Sequence, residues 1–367
     1  MVQFTVSVTL IIGTIIVFRQ IQYAKNRPIG YSREGLLNIT MNTPELQGNY
    51  QAVRNELFET GVVADLGESS SPITGIWSSA NNLAWRGKDP NRAASFGTIA
   101  VTPDFGNVIG WTLKEGREFS SRFMSDSSTF LLNEAAVKQT GLQHPVGEMI
   151  KWHGKNWKVI GVVKDIVMTS PFEPVTPTVF MIDTKERNMN VIHIKLKPTV
   201  SVRDALSKLE VVFKRLNPAA LFEYRFADQE FMKKFAAEER IGKLASIFAI
   251  LAILISCLGL FGLSSFMAEQ RIKEIGVRKV LGATVPSIVS LLSRDFLLLV
   301  FIAFLVASPV AWYGMDKFLE AYKYRVAIEW WVFALTGLFA VAITLLTVSF
   351  QSIKAALMNP VKSLRNE

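Results

Sequence analysis

The sequence predicts a multi-pass α-helical membrane protein, with four transmembrane helices and one large extracytoplasmic α+β domain made of a mixed β-α-β lobe and an inserted β-rich lobe. Three observations carry this. Charge is missing from four long runs. The charge between the first and second runs is balanced as in a water-soluble domain. Apolar spacing within that domain alternates between a period of two and a helical period. Half of the 367 residues are apolar and only 19% are charged, against about a quarter in an ordinary soluble domain.

Residues 1–18, 244–268, 296–315 and 330–353 contain no Asp, Glu, Lys or Arg. At about 1.5 Å per helical residue each approaches or exceeds the roughly 30 Å hydrocarbon core of a bilayer. With their flanks, the expected spans are 1–18, 244–268, 285–315 and 330–353. The first lacks a basic leader and a small-x-small cleavage site before Arg19, so a retained helix is expected rather than a signal peptide. Its opening, Met1-Val2-Gln3-Phe4, has no charged flank and points to a natural chain that extends upstream. The segment 269–293 carries Arg271, Lys273, Arg278 and Lys279, and the tail 354–367 carries Lys354, Lys362 and Arg365. The short loop 316–329 carries Lys317, Lys323 and Arg325. Seven basic residues against three put the first two segments in the cytoplasm and the large domain outside. Arg19, Lys25 and Arg27 oppose that bias. Trp312, Tyr313, Trp330 and Trp331 bracket the outer loop as an interfacial belt.

Residues 19–243 form the outer domain. Between residues 20 and 240 there are 27 basic and 24 acidic side chains, so only +3 of the chain's +9 lies there. A nucleic-acid partner is excluded, because no basic patch comes with groove-reading or stacking residues. The expected order is a strand at 36–40, a turn with Pro44 and Gly48, a helix at 49–60 and a strand near 62–66. The same order recurs late, with a strand at 191–196, a helix at 202–216 and a strand at 222–226, so the two units are expected to share one sheet. Residues 73–182 between them are strand-rich, punctuated by Gly and Pro, and interrupted by one short helix at 133–140. Residues 228–243 are expected to form a continuous charged helix, a stalk running into the second span.

No catalytic constellation emerges. His144, His153 and His193 lack ligand spacing and are expected to be structural. There is no G-x-x-x-x-G-K-[ST] phosphate loop and no G-x-S-x-G elbow. No metal or cofactor is implied. Cys257, the single cysteine, is a small hydrophobe in an apolar helix. Asn38-Ile39-Thr40 fits a glycosylation sequon by chance.

The most informative stretch is 269–284. Ile272, Ile275, Lys279 and Leu281 give a short helix an apolar stripe with a basic flank, stopped by Gly282. Such a helix suits a membrane surface or a groove on a cytoplasmic partner. An ordinary solvated loop obeying the positive-inside bias accounts for the composition equally well.

The residues Glu269, Arg271, Glu274-Ile275-Gly276-Val277-Arg278-Lys279, Leu281, Gly282 and Ala283 closely resemble the signature after the second span in the FtsX/MacB-like ABC transporter permease family, the type VII ABC permeases. Val101-Thr102-Pro103-Asp104-Phe105, Gly110 and Glu115-Gly116-Arg117-Glu118-Phe119 resemble the family's outer domain. So do Leu132-Asn133-Glu134-Ala135-Ala136, Gly141-Leu142, Pro145-Val146-Gly147 and Val159-Ile160-Gly161-Val162-Val163-Lys164-Asp165. Asn359-Pro360-Val361-Lys362-Ser363-Leu364-Arg365 is similar to its closing cytoplasmic motif. The resemblance runs over essentially the whole chain.

The resemblance implies a non-catalytic permease subunit in the bacterial inner membrane, with its large domain in the periplasm. A separate cytoplasmic ABC ATPase drives it, and a second permease unit pairs with it in the bilayer. Such proteins convert ATP-driven closure into motion of the outer domain, for efflux of peptides or antibiotics, lipoprotein release or control of a wall hydrolase. Residues 269–284 become the coupling helix. Ile275 and Val280 would be its apolar contacts, Arg271, Arg278 and Lys279 its reach to acidic groups or lipid phosphates, Gly276 the point of close approach, and Gly282 its end. The family's usual amphipathic helix before the first span is absent, and the opening looks like the second half of a tandem eight-span permease. The competing reading is a membrane-anchored sensor or regulator with a periplasmic binding domain, which would need a larger cytoplasmic output than these segments provide.

Overall fold

Two β-α-β units build one half of the outer sheet: β1 (Leu36–Thr40), α2 (Tyr50–Glu59) and β2 (Val63–Ser69), then β11 (Val191–Leu196), α5 (Val202–Leu216) and β12 (Arg225–Phe226). Elements are numbered along the chain. The computed structural model describes residues 1–43, 46, 50–89, 91, 93–183, 188–218, 221–271, 274–275, 277–278 and 281–357. The chain divides into two compact units, Arg27–Phe235 and a second made of Met1–Asn26 with Ala236–Glu367.

In the first unit the two β-α-β units interleave, giving the strand order β12-β1-β11-β2 with every neighbour antiparallel. Each helix therefore crosses over a strand of the other unit, a split β-α-β arrangement. One face of this half is covered by α2 and α5. In α5, Ser201 caps the helix by accepting from the Asp204 N–H, and Ala205, Leu209, Val212 and Phe213 form the buried stripe. In α2 the stripe is Tyr50, Val53 and Leu57. The predicted strand at 222–226 shrinks to Arg225–Phe226 in the sheet.

The inserted stretch contributes β3 (Ser79–Ala80), β4 (Ala84–Trp85), β5 (Phe96–Val101), α3 (Phe105–Ile109), β6 (Leu113–Gly116), a 3₁₀ turn (Met124–Ser128), β7 (Thr129–Asn133), α4 (Glu134–Thr140), β8 (Met149–Trp152), β9 (Lys155–Val163) and β10 (Thr178–Ile182). Its strands extend the same sheet in the order β2-β5-β10-β7-β9-β8-β4, joined to the first half where Ser69 of β2 pairs with Val101 of β5. The single short helix expected in this stretch is α4. The structure adds α3, whose five residues are too few to display a helical period in sequence and which ends at Gly110 in the left-handed region (φ 66°).

The continuous helix expected over 228–243 is two helices, α6 (Ala227–Lys233) and α7 (Ala236–Gln270), separated by a turn. At the turn the bonding tightens to i→i+3, from Lys234 N–H to Phe231 O and from Phe235 N–H to Met232 O. The cause is local. Phe231 and Phe235 are fully buried and pack edge to face, with Phe172 against Phe235. Between them Lys234 donates to the carbonyls of Met168 and Thr169 at 2.5 and 2.6 Å. Burial lowers the Lys234 pKa to about 8.

The second unit consists of α1 (Val2–Asn26), α7, α8 (Val285–Glu320) and α9 (Trp330–Leu357), all four long and apolar enough to cross a membrane. The first helix continues past the predicted end at residue 18. Past that point Arg19 pairs with Glu329 at 2.7 Å and lies over the Trp331 ring, and Lys25 pairs with Glu239 at 2.6 Å. Val8, Ile12 and Ile16 of α1, one turn apart, pack into a core with Val300, Ala307 and Ala311 of α8 and Val332 of α9. Ser7 and Ser256 share a buried hydroxyl hydrogen bond of 2.9 Å between α1 and α7, as suits a polar pair between spans. Buried Gln20 clamps the loop before α9, donating to Tyr324 O at 2.7 Å and accepting from Val326 N–H at 2.9 Å. At 35 residues, α7 is about 52 Å long, well beyond the roughly 30 Å hydrocarbon core.

Candidate functional site

The segment between α7 and α8 is reached through the last turn of α7, which contains Glu269. Helical bonding then recurs in steps: Arg271 N–H to Met267 O at 3.2 Å, Ile275 N–H to Arg271 O at 2.9 Å, and Leu281 N–H to Val277 O at 3.0 Å. The stop at Gly282 is physical. Its φ of 89° is costly for any residue with a Cβ. The Ala283 N–H then reaches back to Arg278 O at 2.9 Å, the six-to-one bond of a Schellman cap. Thr284 follows in extended conformation with Pro286 in the first turn of α8.

The side chains of this segment divide into two groups. Ile275 is buried within the chain, at 5% exposure. The Arg271 guanidinium, 3.3 Å from the Asp295 carboxylate, ties the segment to α8. Facing outward, Arg278 pairs with Glu274 one turn before it at 2.9 Å, and Val277 and Leu281 are exposed apolar side chains four residues apart. The apolar contact expected of Ile275 is thus made inside the chain, and Val277 with Leu281 offers the outward apolar surface. Gly276 and Lys279, and with them Ile272, Lys273 and Val280, lie outside the described residues, as does the closing motif 359–365.

The outer-domain residues that carry the resemblance come together as fasteners around β6, β7, α4 and β9. Gly116 has φ 82°, and a Cβ there would stand 2.2 Å from Ile160 O of the paired strand β9. Arg117 makes two hydrogen bonds to buried Asp126, at 2.8 and 2.5 Å. Burial pushes the Asp126 carboxyl upward, but Arg117 and the Ser120 N–H outweigh it and hold its pKa below the usual range. Glu118 accepts from the Trp111 indole N–H. Asn133 accepts from Ala136 N–H as the cap of α4 and from Thr178 N–H of β10. Glu134 pairs with Lys114, and Asp165 accepts from Ala135 N–H. These contacts brace the strands.

One arrangement has the look of a catalytic triad. In the sheet, His193 lies opposite Asn38 on one side, with its Nδ1 2.9 Å from Asn38 Oδ1 and its Nε2 2.7 Å from Ser69 Oγ. All three residues are buried, and the Phe105 ring packs edge to face on the imidazole. Substrate has no access, so this is a polar chain inside the core. Complete burial lowers the His193 pKa to about 3, which keeps the ring neutral and prevents a general base at work near neutral pH. The same burial closes the Asn38 sequon to glycosylation. Among the described residues no three His, Cys, Asp or Glu side chains form a group suited to a metal ion.

Sequence reasoning missed the partners. Asp295 lies 24 residues from Arg271 and inside a span, and nothing in its local sequence marks it. Gln20 and Asn38 look like ordinary polar residues, and only their neighbours in space give them work.

Residues 4–212 match the family described as MacB-like periplasmic core domain, and residues 246–360 match FtsX-like permease C-terminal. The macrolide export ATP-binding/permease protein MacB of Neisseria gonorrhoeae is 25% identical over 226 residues. That alignment covers 59% of this chain and 34% of MacB, so the chain spans about a third of that relative's length. The ABC transporter permease YknZ of Bacillus subtilis (strain 168) is 22% identical over 280 residues, covering 73% of this chain and 69% of YknZ. The crystal structure of the periplasmic region of MacB from Actinobacillus actinomycetemcomitans aligns with a TM-score of 0.41 at 17% identity, over 54% of this chain and 91% of that one. With four helices long and apolar enough to cross a membrane and a large α/β domain, this chain belongs to the family of MacB/FtsX-type ABC transporter permeases of the bacterial inner membrane, its large domain in the periplasm.

Proposed function

We propose that the chain is the permease subunit through which a cytoplasmic ATPase moves the periplasmic domain, with residues 269–284 as the coupling element. The observation that carries this reading is the divided character of that segment. One side is anchored, by buried Ile275 and by the Arg271–Asp295 pair, and the other presents Val277, Leu281 and the Glu274–Arg278 pair outward. A force applied there passes to α7 and α8, each too long to end at the membrane surface. The sequence contains no phosphate loop, so ATP is bound outside these residues, in our proposal by a separate subunit. A second permease unit completes the assembly. Its support is the exposed apolar length of α7, with Leu244, Leu251, Leu254, Leu258 and Phe261 unburied within the chain. The work done is efflux of peptides or antibiotics, or release of lipoproteins. MacB itself is described as a macrolide exporter.

The test replaces Gly276 by Leu and Arg278 by Glu in the full chain, then measures membrane insertion, co-purification of the ATPase and ATP-coupled activity. Insertion is expected to be normal, with ATPase binding or coupling lost. Undiminished binding and coupling in both variants would overturn the assignment.

A further inference from the structure

The hairpin of β8 and β9 stands at one end of the outer sheet, with only the two-residue β4 beyond it. Its turn, His153-Gly154, has positive φ at both residues, 48° and 75°, as a two-residue I′ turn requires. The register that follows sets Met149 opposite Lys158, Ile150 opposite Trp157 and Lys151 opposite Asn156. Alternation then sorts the side chains by face. Ile150 is buried, Trp157 stacks on Phe130 at 4.6 Å, and Trp152 and Trp85 pack against the same core. The other face shows Met149, Lys151, Asn156 and Lys158 to solvent. Lys155, beside the turn, is exposed too.

Charge selects the occupant. Among the described residues Lys151, Lys155 and Lys158 have no acidic partner, whereas Lys208 and Lys214 of α5 are each neutralised one turn away, by Asp204 and Glu210. Residues 148–158 hold those three lysines against one acid, Glu148, a net +2 where the whole of residues 20–240 carries +3. Lys151 and Lys158 are diagonal neighbours across the two strands, about 7–8 Å apart. Protein interfaces are poor in lysine and centre on aromatic anchors, and here the tryptophans of the hairpin all turn to the core. The exposed face offers spaced cations on a flat surface, with the Asn156 amide opposite one of them. We infer that this face holds a carboxylate-bearing polymer of the periplasm, the peptide-substituted glycan of the cell wall. Its carboxylates lie against Lys151 and Lys158, and its amide or hydroxyl groups bond to Asn156. The inference rests on the periplasmic placement of the domain and is independent of ATP coupling. Each contact is solvent-exposed and weak, so the hold depends on several made together and is reversible.

The full chain in a non-ionic detergent is mixed with purified peptidoglycan sacculi freed of bound protein, and the fraction that sediments with them is measured. Binding is expected at low salt and should fall as salt is raised. The triple variant Lys151→Gln, Lys155→Gln, Lys158→Gln should weaken it about ten-fold or more, since one exposed pair carries up to about five-fold. Arginine at the same three positions should keep it. Removing equal charge at paired lysines, with Lys208→Gln, Lys214→Gln and Lys233→Gln, should leave binding unchanged. Sacculi whose carboxyl groups have been amidated should not retain the chain. Equal losses in the two glutamine triples, or undiminished retention on amidated sacculi, would overturn the inference. So would a chain that ignores sacculi but binds polyglutamate through the hairpin lysines, which would give the face to an acidic protein.

Discussion

Arg271 and Asp295 face each other across 3.3 Å, joining the exit of α7 to α8 about three turns from its start. Both side chains are partly solvated, at 33% and 53% exposure. The pair is therefore worth at most about 1 kcal/mol. Its value lies in direction, because it fixes the segment to the helix it is proposed to push. Asp295→Arg should reduce ATP-coupled activity several-fold while leaving melting within about 2 °C, and the exchange Arg271→Asp with Asp295→Arg should restore most of it. Activity unaffected by the single reversal would show that the pair transmits nothing.

The Gln20 clamp makes a separable forecast. Gln20→Leu leaves Tyr324 O and Val326 N–H without their side-chain partner, at a cost of about 2 kcal/mol. Hydrogen exchange at the Val326 amide should quicken about thirty-fold. Gln20→Glu keeps the acceptor for Val326 and should quicken it less. Equal exchange in all three proteins would contradict the clamp.

In the periplasmic unit, Asp126→Asn removes a carboxylate whose folded pKa is depressed by Arg117 and Ser120. A depressed acid contributes stability above its unfolded pKa and loses it as pH falls through the folded value, so the contribution holds at neutral pH and fades below about pH 4. Thermal melts of residues 27–235 at pH 7 should show a loss of about 2 kcal/mol. The cost stays below that of breaking a wholly buried pair because Arg117 is 39% exposed. At pH 3 the difference from the parent should narrow.

His193 works in a different window. Its folded pKa of about 3 lies below the 6.5 of an ordinary histidine, so between these values the unfolded chain takes up a proton that the folded one refuses. Stability should then fall with acidification by about 1.4 kcal/mol per pH unit from this group, starting near pH 6.5. Above pH 6.5 the ring is neutral in both states and contributes no slope. His193→Gln should flatten this part of the profile, and an unchanged slope would mean that the ring is protonated in the fold.

How much of this was legible in the sequence depends on the range of the forces involved. Charge-free runs mark α1, α7, α8 and α9, because a bilayer penalises each charge wherever it occurs in the run. The β-α-β order at both ends of the outer domain is also local, carried by the period of the apolar residues. The break between α6 and α7 is not local, since it depends on Phe172 and on the Met168 and Thr169 carbonyls, about 60 residues earlier. The five-residue α3 was missed for lack of a period.

The coupling stretch shows the same division. The composition of 269–284 marks it as basic and amphipathic, and the Gly282 stop follows from residue type alone. Which apolar side chains face outward does not, because Ile275 and Val277 are two residues apart and only packing within the chain decides that the first is buried and the second exposed. By itself, then, the sequence determined the four spans, the outer domain between the first two and the candidate coupling stretch, which depend on composition and on short-range periodicity, while its motifs carried the resemblance to the family. Only the tertiary structure decided the interleaved sheet, the pairing of Arg271 with Asp295, and the sealing of Ser69, His193 and Asn38 into the core. Each of these is a meeting of residues distant in sequence, made by the burial of apolar surface around them.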